Sequence, residues 1–94
     1  MIVGLLKVHI HISGINSLKD KRRIVKSLIG RLKSRFNVSV SEVDKQDSRA
    51  QAVIGIALVS NDGSFVGKQL DTVTKFIRND GRFHVGQIDR EVFS

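Results

Sequence analysis

Cysteine, proline, tryptophan and tyrosine are all absent from this 94-residue chain, and five phenylalanines are its whole aromatic content. Without cysteine there is no disulfide framework and no cysteine nucleophile, and a reducing cytoplasm is the compartment such a composition suits. No stretch approaches the roughly 20 apolar residues that a bilayer span needs. Lys7, His9 and His11 interrupt the first apolar run, so neither a secretory leader nor membrane association is expected. Gly55, Gly63, Gly67 and Gly81 match neither dinucleotide-binding nor phosphate-loop spacing and are expected to serve close packing and turns. Asp62 and Asp71 lack the spacing of a metal loop. A chain of this length forms one domain that buries roughly 60–70% of its unfolded surface, enough for one core and too little for a large enclosed active site.

What is present is periodic. Over residues 2–13, Ile2, Leu6, Val8, Ile10 and Ile12 share one parity, while Val3, Leu5, Lys7, His9, His11 and Ser13 share the other, which predicts a strand. Ser17 is a good helix N-cap, and Asp20 three residues later gives a capping-box-like pattern with a negative charge in the first turn. Leu18, Val25, Leu28, Ile29, Leu32 and Phe36 then fall on one helical face, with Asn37 as the expected stop. Val38, Val40 and Val43 mark a short second strand. The polar run 44–48 reads as a hairpin connection, and residues 50–60, apolar on both faces, as a central third strand. After a break at 61–63, Val66, Leu70, Val73 and Ile77 follow helical spacing. Asn79, Asp80 and Gly81 end that helix, and residues 82–93 form a last strand. The order β-α-β-β-α-β, closed with right-handed crossovers, predicts an α+β, ferredoxin-like sandwich over residues 1–94, with two helices on one face of a four-stranded antiparallel sheet.

The charge is concentrated in one element. Residues 19–35 hold eight basic residues against Asp20 alone, which equals the whole formal net charge of +7; the rest of the chain has eight basic and eight acidic residues. At about 100° per residue, Lys19, Arg22, Arg23, Lys26 and Lys33 lie within one arc of about 100°, opposite the apolar face and free of acidic residues. Solvated helix faces usually interleave opposite charges for support between neighbouring turns. Here the like charges repel, which stability does not explain and phosphate binding does. Lys21 falls inside the apolar arc instead, and is expected to pair with Glu42, Asp44 or Asp47 on the hairpin at the same end of the fold. Arg31 and Arg35 flank the apolar face and are expected to cover it with their stems.

The segment from Ser17 to Asp62, and above all SLKDKRR, RFNVSVSEVD and the third strand, closely resembles the YlxP-like family of small bacterial proteins of unknown function. The resemblance extends over nearly the full length and weakens after Gly63. It implies a ferredoxin-like fold and a gene neighbourhood among translation initiation and ribosome maturation factors, hence a role near the ribosome. It supplies no catalytic residues.

Three functions remain to be weighed. The first is a non-catalytic RNA- or ribosome-associated accessory protein that binds phosphate backbone through Lys19, Arg22, Arg23, Lys26 and Lys33. Ser17 and the free N–H groups of the first turn would add an anion site with Lys19 and Arg22. The second is a protein-interaction module, forming a homodimer through the open sheet face or an edge strand. Candidates on that face are Val3, Leu5, His9, His11, Val43, Val53, Ala57 and Val59. None of these is aromatic, which disfavours base stacking on the sheet. The third is a small acyl-phosphate hydrolase using the segment SGINSLKDKRR, which lacks an arginine-bearing glycine loop. No cofactor is expected, and His9, His11 and His84 are read as ordinary imidazoles on a half-exposed sheet rather than metal ligands.

Overall fold

The computed structural model describes residues 1–15 and 17–94. Within them the chain runs β1 (Ile2–His11), α1 (Leu18–Arg35), β2 (Ser39–Asp44), β3 (Gln51–Ser60), α2 (Gly63–Arg78) and β4 (His84–Phe93). The strands form one antiparallel sheet in the order β2-β3-β1-β4. This is the ferredoxin-like arrangement that the sequence predicts.

Period-two alternation decides which side of the sheet is buried. Leu6, Val8, Ile10 and Ile12 face the helices and are buried with Ala52, Ile54, Ile56 and Leu58 of β3. Helix α2 closes over them with Val66, Leu70, Val73 and Ile77, all buried. Helix α1 turns Lys21, Val25, Leu28 and Leu32 to the core, one residue per turn. Gly4 lets α2 sit directly on β1: a Cβ there would stand 2.7 Å from Val66 Cγ1 and 3.1 Å from Leu70 Cδ1.

Two local expectations need correction, but not the end of helix α1, which stops directly before Asn37. Its C-cap is Phe36, which turns extended and packs its ring edge-on against Phe76, 5.6 Å between centroids. Helix α2 begins before its apolar row because Asp62 is its N-cap, accepting from the N–H groups of Ser64 (2.9 Å) and Phe65 (3.3 Å). Val53 lies on the open side of the sheet opposite His9, as expected, but is buried there instead of exposed. An irregularity between Glu42 and Asp44 brings Asp44 opposite it, and Val53 shares a small hollow with His9, Lys45 and Gly86.

Candidate nucleic-acid interface

The roll of α1 about its own axis decides what the helix shows to solvent, and Lys21 fixes that roll. Its side chain is 0% exposed, in line with Val25, Leu28 and Leu32. The ammonium has three protons and three acceptors: Glu42 Oε2 at 2.6 Å, the Lys45 carbonyl at 2.9 Å and the Gln46 carbonyl at 3.4 Å. Of the three carboxylates considered from the sequence, Glu42 makes the pair. The turn is shaped to receive it. Lys45 sits in the left-handed region at φ 61°, costing about 1–2 kcal/mol for a residue with a Cβ. Its N–H donates to Asp44 Oδ1, and its carbonyl also accepts from Ser48 N–H. A buried charge left unpartnered is expensive, so this lysine tolerates only the rotation that reaches the β2–β3 turn.

With Lys21 inward, Lys19, Arg22, Arg23, Lys26 and Lys33 must point outward, and all five are exposed. The row spans about 21 Å along the axis. Among the described residues none of the five forms an ion pair. The other cations of α1 are differently employed. Lys21 is neutralised by Glu42. Arg31 pairs with Asp80 at 3.1 Å. The guanidinium carbons of Arg31 and Arg35 lie 5.1 and 5.2 Å from the centroid of the Phe76 ring, covering it as their flanking positions suggest.

Ser17 has a structural task. It is the N-cap of α1, and its Oγ accepts from Asp20 N–H at 3.1 Å. One first-turn donor is thereby satisfied, and the Asp20 carboxylate already supplies negative charge at the helix start. Ser17 thus belongs to the frame beneath the row of cations. Asn16, within the segment SGINSLKDKRR, lies outside the described residues.

A cluster that the sequence does not announce borders the row. Arg82 holds Asp80 through two bonds, Nε to Oδ1 at 2.7 Å and an Nη to Oδ2 at 2.8 Å, and its other Nη donates to Ser27 Oγ on α1 at 2.9 Å. The Asp80 side chain has no exposed surface. The Arg82 side-chain hydrogen bonds hold its carboxyl below the usual value of 3.8 against the opposing effect of burial, and the charges of Arg82 and Arg31 add to the lowering. Arg82 is raised in turn by the same bond. This ties α1, the end of α2 and the start of β4 together. The contacts span 49 and 55 positions of sequence, too far for any local pattern to reveal.

The opposite face of the molecule differs in character. His9 Nε2 lies 3.9 Å from Asp89 Oδ2, and His11 stands opposite His84 in the β1–β4 register. Among the described residues no three His, Cys, Asp or Glu side chains converge on a metal-sized site. One aromatic does reach this face, contrary to the expectation from the sequence: Phe93 is paired with Val3 at the end of the sheet. A single ring at the margin is not the platform on which related topologies stack two or three bases. Among the described residues no helix is long and apolar enough to cross a membrane.

Comparison with known proteins agrees with the fold. A de novo designed protein, Foldit4, superposes with a TM-score of 0.54 at 14% identity, covering 99% of this chain and 96% of its own, a likeness of fold alone. The uncharacterized protein YlxP of Bacillus subtilis (strain 168) is 36% identical over 76 residues, covering 81% of this chain and 83% of the relative. The model of a family described as a protein of unknown function, DUF503, matches residues 3–90. The chain therefore belongs to the DUF503 family, alongside its YlxP relative.

Proposed function

We propose that this protein is a non-catalytic accessory protein that binds RNA, free or in the ribosome, by laying α1 along the phosphate backbone. One observation carries the reading: five outward cations, in a row of about 21 Å, form no ion pair among the described residues. Lys19, Arg22, Arg23, Lys26 and Lys33 are the contact residues, and Ser17 sets the helix start that aligns them. Phosphate contacts of this kind fix position and supply affinity with little sequence discrimination. The gene neighbourhood implied by the YlxP-like resemblance supports a site of action near the ribosome, and so in the cytoplasm.

Fluorescence anisotropy with a labelled RNA tests it. The variant Arg22→Glu/Arg23→Glu/Lys26→Glu should bind about a hundredfold more weakly or worse, since three contacts become three repulsions. Unchanged affinity in that variant would overturn the reading.

A further inference from the structure

We propose that the open sheet face joins two copies of this chain, sheet against sheet. The inference places none of the α1 cations in the contact and stands apart from the RNA reading.

The face carries an apolar band. Val59, Val3 and Phe93 form one row across β3, β1 and β4, and Ala57 and Leu5 continue it in the next. Val43 leans over Gly55, where a Cβ would come within 2.8 Å of Val43 Cγ1. Val59, Val43 and Phe93 remain 61%, 51% and 50% exposed. Beside the Val3 row lies a trough of about 440 Å³ with Leu5, Val43 and Ala57 in its wall and Lys7, Asp89 and Glu91 at its rim. Exposed branched and aromatic side chains gathered on one side of a small protein mark an interaction surface.

Two observations name a second copy as the occupant. The first is the rim. It holds charges of both signs: Lys7 lies opposite Asp89 in register, with Glu91 one row on beside Leu5. Among the described residues Lys7 makes no ion pair. A two-fold interface must be complementary to itself. A surface with an apolar centre, one unpaired lysine and two nearby carboxylates meets that requirement, because Lys7 of each copy can face the acidic side of the other.

The second is where the positive charge is not. Each copy carries a formal charge of +7, all of it equal to the excess on α1, on the far side of the sheet. Stacking two sheets places the α1 axes about 30 Å apart, with layers about 10 Å thick. That exceeds three Debye lengths at physiological salt, so the two cationic rows scarcely repel. Any contact made through α1 would bring them together. Three strands of ten residues and one of six give a face of about 570 Å² in plan, more once corrugated, which reaches the roughly 600 Å² per partner at the lower end of specific interfaces.

Sedimentation velocity over a concentration series, with two complementary variants, tests the proposal. Lys7→Glu makes the rim wholly acidic; Asp89→Lys/Glu91→Lys makes it wholly basic. Circular dichroism and urea midpoints confirm that each variant is folded. The wild type should sediment as a dimer, each variant alone should dimerise at least tenfold more weakly, and an equimolar mixture of the two should recover the dimer. A wild type that stays monomeric overturns the proposal. So do variants that dimerise alone as well as the wild type, which puts the contact elsewhere, or a mixture that fails to recover. RNA binding by the wild type is unaffected by any of these results in the monomer, so the two readings fail separately.

Discussion

Lys21 stands where a leucine would be expected, and its surroundings show why a lysine works. The ammonium is fully satisfied by one carboxylate and two turn carbonyls, and its stem packs in the core row of α1. Removing one partner of such a pair strands the other in a site that water reaches poorly; Glu42 is 16% exposed. Lys21→Met should therefore cost about 3–5 kcal/mol in urea unfolding, and adding Glu42→Leu should recover part of the loss rather than add to it. Strictly additive penalties would show that the two residues act independently. This pair was legible in the sequence because a charged residue at position 21 breaks an otherwise apolar row and Glu42, Asp44 and Asp47 lie together on the hairpin at the same end of the fold. The burial of Val53 and the Arg82–Asp80–Arg31 cluster were not legible. The first depends on a strand irregularity, and the second on residues brought together by the closing of the whole domain.

At the scale of the element, α1 is a helix whose two faces obey different demands. The inner face follows packing, with Val25, Leu28 and Leu32 buried behind Lys21. The outer face works against helix stability, because Lys19 faces Arg23, and Arg22 faces Lys26, four residues apart. Arg23→Glu would replace two like-charge neighbours, Lys19 and Lys26, with attractive ones. It should raise stability by about 0.5 kcal/mol while weakening RNA binding, as read by urea midpoint and anisotropy together. A loss of both would mean that Arg23 supports the fold. The helix itself was readable from its periodicity and its Ser17 cap. The seat of its C-cap was not, because Phe36 packs on Phe76, a contact with a different helix. For the same reason the close seat of α2 on Gly4 leaves no mark in local sequence.

Over the whole molecule, the sheet separates two surfaces of opposite kind. One side is α1, with the entire excess of positive charge. The other is an apolar trough with a mixed-charge rim. The alternating strand pattern forecast this division, since β1 carries its core on one parity and its histidines and Lys7 on the other. A sheet-to-sheet pair would present two cationic rows facing away from each other, each free to meet a separate stretch of backbone. The central claim is that the α1 row is a phosphate-binding surface, and salt tests it most directly. Titrating RNA binding against potassium chloride at constant pH should give a log–log slope of about −3.5 to −4.5 if all five cations engage phosphates. A slope near zero, or one equally steep after Arg22, Arg23 and Lys26 are replaced by Glu, would contradict it.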